Sequence, residues 1–160
     1  KEVPRQPIAA GDVRKSHFVM LKNRPCKVVE VKTSKTGKHG HAKAAISGVC
    51  VLTKQKCNEV HPASASLVEF KLEKLDYLVS DVATADGIII SALDDDNNEV
   101  QFEAKPNNEL CQGKALAEAF AADSEKGWVT CVIRAPVQTG ENEFHDEELI
   151  ESFREEKVAK

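Results

Sequence analysis

The segment Thr33–Lys43 (TSKTGKHGHAK) contains the residues of this chain whose types and spacing best suit chemistry. Its cationic and histidine side chains are Lys35, Lys38, His39, His41 and Lys43. Gly37 and Gly40 bracket the central Lys38–His39 pair, permit a positive φ and leave space beside the lysine. Lysine is a mobile point charge suited to backbone phosphates, and histidine rings can stack on nucleotides. The segment therefore predicts a loop that contacts phosphate or RNA.

The sequence around this segment supplies no neutralising acid, because no carboxylate occurs from Val31 to Asn58. A nucleotide-binding P-loop requires G-x-x-x-x-G-K-[ST], but Lys32 stands where the first glycine is needed. A metal site at the two histidines would need further ligands, and the neighbouring lysines oppose a cation, so we expect no metal. A solvated cationic hairpin without a partner stays open as the simplest alternative.

The cysteines offer little support for catalysis. There are five, none of them in a C-x-x-C pair, and no arrangement that would activate a thiol is visible. We interpret them as reduced, mainly buried thiols, which is typical of a cytoplasmic protein. We therefore expect no enzymatic activity, and a thiol-dependent hydrolase is kept as an alternative.

Charge is divided unevenly along the chain. Residues 1–79 hold fifteen Lys and Arg against seven Asp and Glu, whereas residues 80–160 hold seven against nineteen. Such asymmetry favours two domains, the first facing an anionic partner. The acidic second half, with Asp94-Asp95-Asp96, is a poor binder of RNA phosphate. The longest aliphatic stretch, Gly87–Leu93, is too short to cross a bilayer and Lys1–Arg5 shows no signal pattern, so we expect a cytoplasmic protein without a membrane partner.

The elements that must position the loop are mostly strands. Lys1–Asp12 is interpreted as a flexible tail because of its two prolines. Short β-rich segments predict strands at Phe18–Leu21, Cys26–Val31, Ala44–Leu52, Val68–Leu78, Tyr77–Val82, Gly87–Leu93, Val100–Ala104 and Trp128–Ala135. Leu110–Ala122 predicts a short helix, and residues 141–160 predict a second helix capped by Asp146. The fold class is therefore mainly β, with two small barrels.

Three segments of the sequence resemble those of a known protein family. Thr33–Lys43 resembles the hypusination loop of the eukaryotic translation initiation and elongation factor 5A family, and Phe18–Lys22 and Arg24–Glu30 resemble the sequence around it. Beyond about residue 60 the similarity is one of pattern only. The chain has Lys32 where the family usually has serine, which leaves the loop motif whole.

The resemblance implies a Src-homology-3-like barrel over residues 13–79 and an oligonucleotide-binding (OB) fold over 80–160 with a C-terminal helical extension. It also implies that Lys38 is converted to hypusine by transfer of an aminobutyl group from spermidine and hydroxylation, with no other cofactor. The implied partners are the large ribosomal subunit, peptidyl-tRNA, deoxyhypusine synthase and deoxyhypusine hydroxylase. The implied function is to bind the ribosome beside peptidyl-tRNA and to promote peptide-bond formation at stalling sequences such as consecutive prolines, and termination.

The resemblance further implies roles for the rest of the loop. Residues that would contact RNA or the modifying enzymes are Lys35, Thr36, Gly37, His39, Gly40, His41 and Lys43. The alternative is an unmodified RNA-binding ribosomal or assembly protein that uses the summed charge of a basic loop. The two differ in whether Lys38→Arg abolishes function or weakens RNA affinity slightly.

Overall fold

The computed structural model of the protein describes residues 2–35, 42–105 and 107–156. In those ranges the chain forms strands, one turn of 3-10 helix at Ala10–Asp12 and one α-helix, α1, at Gly113–Ala122. The strands are β1 Arg5–Ala9, β2 Phe18–Leu21, β3 Arg24–Lys35, β4 Ala42–Cys50, β5 Lys56–Pro62, β6 Ser66–Phe70, β7 Glu73–Ala83, β8 Ile88–Leu93, β9 Glu99–Ala104, β10 Gly127–Gly140 and β11 Glu143–Glu156.

The first sheet has six strands in the order β1-β6-β2-β3-β4-β5. The predicted strand Phe18–Leu21 is confirmed as β2. It joins β3 through a tight turn, in which Lys22 and Asn23 have positive φ values of 51° and 65°. The inward positions of these strands are aliphatic, so Leu21 and Ile46 are buried in the core of this sheet.

Residues 5–12 form strand β1 and a 3-10 turn, so the prediction of a flexible tail over Lys1–Asp12 was wrong for this part of the segment. β1 pairs antiparallel with β6 at the edge of the first sheet, with Pro7 opposite Val68. Proline is tolerated on an edge strand because the side on which it lacks an N–H faces solvent and no partner strand. Val3, just before β1, is 2% exposed, and its N–H donates to Asp146 Oδ2 at 2.8 Å. Burial and pairing therefore order a segment whose composition indicated a tail.

The second sheet has five strands in the order β11-β10-β7-β8-β9. α1 lies between its third and fourth strands along the chain, as predicted, and buries Leu116 and Ala117 against the sheet. Asp94 Oδ1 accepts hydrogen bonds from the N–H groups of Asp96 and Asn98, each at 2.9 Å, and so fixes the β8–β9 hairpin turn. The order of pairings and the place of the helix are those of an OB-type barrel.

The helix predicted for residues 141–160 was wrong, because residues 143–156 form β11 beside β10. Gly140 ends β10, and Asn142 takes a positive φ of 60° in the tight turn that follows. A turn of this geometry sends the chain back along β10, so the apolar residues of the segment pack as part of a sheet. Ile150, for example, belongs to the core of the second sheet.

The described residues fall into two compact units. One holds the residues up to Leu72 together with Ala135–Glu147, and the other holds Glu73–Arg134 and the residues from Glu148 onward. The division thus lies at Leu72/Glu73, seven residues before the predicted boundary, and the tip of the β10–β11 hairpin belongs to the first unit. Within the described ranges no helix is both long and apolar enough to cross a bilayer.

Candidate functional site

The predicted loop is carried by a long β-hairpin in the first unit. β3 and β4 pair in antiparallel register through nine residue pairs, which end at Lys35 opposite Ala42. The connection between them is residues 36–41, so the strands close on both sides of the glycine-bracketed lysine. A loop held by a paired hairpin is a typical place for a binding side chain, because the strands fix its two ends.

The end of β4 next to the predicted loop is held by a third strand and by the segment before β2. β5 pairs with β4 as far as Lys43 opposite Pro62, and the N–H of Ala63 donates to the carbonyl of Ala42 at 2.8 Å. The N–H of Gly11 in turn donates to the carbonyl of Ala63 at 2.9 Å. A side chain at Gly11 would meet the Ala63 side chain at 3.0 Å, so glycine permits this close approach.

One face of the β3–β4–β5 sheet is basic. Cross-strand partners point to the same side of a sheet, so the register groups Lys27 with Val49 and Lys56, and Lys32 with Ala45 and Val60. Lys43 lies on this face beside Ser34 and Pro62, next to the predicted loop. The four lysines of this face are Lys27, Lys32, Lys43 and Lys56, and all are exposed.

A β-bulge at Val29 explains why Lys27 joins this face. The register shifts between Val28 and Glu30, so the side-chain alternation changes phase there. Unbroken alternation backward from Lys32 would have placed Val28 on the basic face and Lys27 inside. Sequence reasoning therefore missed Lys27, and no turn residue in 27–30 marks the bulge.

Few carboxylates oppose these cations. Lys32 Nζ lies 3.7 Å from Glu30 Oε1, an exposed pair that contributes little attraction. Among the described residues, Lys27, Lys43 and Lys56 have no carboxylate partner. The face beside the predicted loop thus presents net positive charge to solvent.

The buried thiols of the first unit are not poised as nucleophiles. Cys26 lies directly opposite Cys50 across β3 and β4, and both are buried. Burial, with smaller contributions from the neighbouring Cys57 and Cys50, raises the pKa of the Cys26 thiol far above its ordinary value. A thiol held protonated is a poor nucleophile, which argues against Cys26 as the nucleophile of a hydrolase. In residues 2–35, 42–105 and 107–156, no three His, Cys, Asp or Glu side chains converge as a metal site.

The structure places only part of the predicted site. Lys43 is exposed on β4, and the backbone of Lys35 pairs with Ala42 at the end of β3. The other predicted residues, Thr36, Gly37, Lys38, His39, Gly40 and His41, lie outside the described residues. Their roles stay predictions.

Fold and site together define a class: a protein of two small β units, the first of which presents a lysine-rich hairpin. A family model described as translation initiation factor 5A-like, N-terminal, matches residues 4–65. Eukaryotic translation initiation factor 5A-1 of Arabidopsis thaliana is 39% identical over 129 residues, which cover 81% of this chain and 78% of that protein. The chain belongs to the translation initiation factor 5A family, whose members are translation factors.

Solved structures agree with this assignment. A translation initiation factor 5A family protein from Naegleria fowleri is 34% identical and superposes with a TM-score of 0.68, covering 82% of this chain and 91% of that one. Eukaryotic translation initiation factor 5A from Methanococcus jannaschii is 18% identical and shares the fold, with a TM-score of 0.56 and coverage of 97% and 95%. The predicted fold class, mainly β with two small domains and a short helix in the second, is confirmed.

Proposed function

We propose that the protein binds the ribosome beside peptidyl-tRNA and promotes peptide-bond formation at stalling sequences, and termination, through hypusine on Lys38. The observation that carries the proposal is the hairpin whose strands close at Lys35 and Ala42, on either side of the segment that resembles the family's modification loop. Membership of a family of translation factors gives the process in which this loop acts.

The physical role of the hairpin is to hold a cation at a distance from the sheet. β4 is paired on both sides, and its end at Ala42 is hydrogen-bonded to Ala63. A rigid base lowers the conformational entropy that is lost when the loop binds. Modification would lengthen Lys38 and add a second amine, which gives it reach between the phosphates of a tRNA acceptor end.

The proposed catalytic help is positional. Orienting a bound peptidyl-tRNA raises the probability of attack on its ester without any proton transfer by the factor. The protein is then a substrate of deoxyhypusine synthase and deoxyhypusine hydroxylase, and it is not itself an enzyme. Lys35, Lys43, His39 and His41 would hold the loop against RNA backbone or present Lys38 to these enzymes.

Lys38→Arg tests the proposal, with Lys43→Arg as the matched control on the same hairpin. Both changes keep the charge, but arginine cannot accept the aminobutyl group. We expect Lys38→Arg to abolish the stimulation of polyproline synthesis in a reconstituted translation reaction with protein from the native host, and Lys43→Arg to retain most of it. Equal activity of Lys38→Arg and the unchanged protein would refute the proposal.

An unmodified RNA-binding protein is the second candidate, and the basic face of the β3–β4–β5 sheet favours it. Under that function, RNA affinity follows the summed charge of Lys27, Lys32, Lys43 and Lys56. Replacing two of them by glutamine would then impair function more than Lys38→Arg does. The same assay therefore separates the two candidates.

A further inference from the structure

The outer face of the β7–β8–β9 sheet in the second unit carries an apolar strip. Tyr77 and Val79 pack into the core, so Leu78 between them points to the opposite side, where it is 41% exposed. Leu93 of β8 lies directly opposite Leu78 in the register. Ile89, four residues before Leu93, lies on the same face, because side chains two and four apart along a strand share a side.

This strip borders a depression of about 230 Å³. Leu78, Leu93 and Val129 form its apolar floor. Its other lining residues are Asp94, Asp95 and Asn97 of the β8–β9 turn together with Asp76, Tyr77, Arg154 and Glu156. A depression of this size and lining accepts one or two side chains of a partner, and we call it the Leu78 depression.

Negative charge at this face is only partly neutralised. Arg154 Nη2 lies 3.2 Å from Asp76 Oδ2 and neutralises that carboxylate. Asp95 and Glu99 have no cationic partner within the part of the chain that the structure describes. The Asp94 carboxylate holds the turn through its two backbone hydrogen bonds, so the turn presents Asp95 in a fixed place.

The same face lacks what an OB fold uses to bind single-stranded RNA. Such surfaces combine cations for the phosphates with aromatic side chains on which the bases stack. The aromatic rings of these strands, Tyr77 and Phe102, contact each other inside the core at 5.0 Å. The outward positions paired across β7, β8 and β9 carry neither feature: Leu78, Asp81, Ala83, Ile89, Ser91, Leu93, Glu99, Gln101 and Glu103. Lys74, farther along β7 on the same side, is paired with Glu151 at 3.4 Å.

We propose that the Leu78 depression binds a basic segment of a partner protein, with an aliphatic side chain on the leucine floor and lysine or arginine beside Asp95 and Glu99. Charge complementarity selects this occupant, because uncompensated carboxylates repel phosphate and attract cations. The apolar floor adds specificity, because a peptide that is merely cationic leaves Leu78 exposed to water. This surface lies outside the hairpin, and its binding does not depend on modification of Lys38.

Two fluorescein-labelled peptides test the proposal by anisotropy: Lys-Leu-Lys-Gly-Leu-Arg and its equally charged counterpart Lys-Ser-Lys-Gly-Ser-Arg. We expect the leucine peptide to bind at least about fivefold more tightly, because only it covers the floor. Amide shifts in ¹⁵N-labelled protein should map its binding to Leu78, Leu93 and the β8–β9 turn.

Matched variants show whether the peptide binds at the Leu78 depression or is attracted only by the net negative charge of the unit. The double variant Asp95→Asn with Glu99→Gln should lower the affinity for the leucine peptide about threefold or more. Glu118→Gln with Glu125→Gln, which removes the same charge from exposed positions, should leave its affinity unchanged. Leu78→Ser should remove the advantage of the leucine peptide, and circular dichroism of each variant shows that the fold is kept.

The proposal is overturned if the two peptides bind equally, or if both pairs of charge variants weaken binding alike, since attraction would then be charge alone. It is also overturned if neither peptide shifts these amides. Labelled oligouridine offered in the same experiment should not bind, and shifts at Leu78 or Asp95 with it would make the face a nucleic-acid surface.

Discussion

Ile46→Ala should destabilise the hairpin that carries the loop. Ile46 lies in the middle of β4, is 1% exposed, and has Val31 on β3 and Glu59 on β5 as its cross-strand partners. Truncating a fully buried isoleucine removes apolar contacts and leaves a cavity, at a cost of about 2–5 kcal/mol. The loss falls on the two strand pairings that support the loop base.

Native-state amide hydrogen exchange followed by NMR measures this loss strand by strand. A cost of about 2–5 kcal/mol corresponds to a roughly 30- to 5,000-fold fall in the protection of the β3 and β4 amides that open with the hairpin. Val60→Ala is the matched control, because Val60 is on the neighbouring strand and 65% exposed, so we expect less than about 0.5 kcal/mol. A fall below about threefold for Ile46→Ala, or equal falls for both variants, would refute the packing that we describe.

Three further predictions follow from local geometry. Gly113→Ala should destabilise the second unit by about 1–3 kcal/mol, measured by urea unfolding, because the added methyl group would overlap Ala104 Cβ; an unchanged midpoint would contradict this. Burial raises the pKa of Tyr77, the only tyrosine of the sequence, above its ordinary value of 10.0. Its absorbance titration should therefore end at a higher pH than that of free tyrosine. The free energy of unfolding should fall as pH rises from about 10 through the raised pKa, because the unfolded chain loses the proton first. Iodoacetamide should label the half-buried Cys111 before the buried Cys26, as read by peptide mass spectrometry, and the reverse order would contradict the burial.

Part of the first sheet could be predicted because its strands are rich in aliphatic residues and separated by turn residues. The strand Phe18–Leu21 is an example, since its local preference agrees with the final pairing. β1 was missed because two prolines and a glycine-aspartate pair indicate a loop, and only pairing with the distant β6 makes the segment a strand.

The C-terminal segment shows why short-range periodicity can mislead. If the segment were helical, one face would carry its apolar residues Phe144, Leu149, Ile150 and Phe153. Glutamate also favours helices. The pairing of β11 with β10 overrides this preference, as tertiary context often does. Gly140 and Asn142 were the available signal, because residues that accept positive φ mark a tight hairpin turn.

The candidate site, too, could be predicted from the sequence only in part. The chemistry of the loop follows from residue types alone, since lysines without nearby carboxylates predict an anionic partner. The support of its base by Ala63 and Gly11, and the place of Lys27 beyond the bulge at Val29, depend on long-range pairing and could not be read from spacing.

The most direct test of the proposed function is the mass of the peptide that contains Lys38, from protein purified from its native host. The proposal predicts an increase on Lys38 equal to one aminobutyl group in place of one hydrogen, plus one oxygen, with Lys35 and Lys43 unmodified. An unmodified Lys38 in actively translating cells would contradict it and leave the unmodified RNA-binding function in its place.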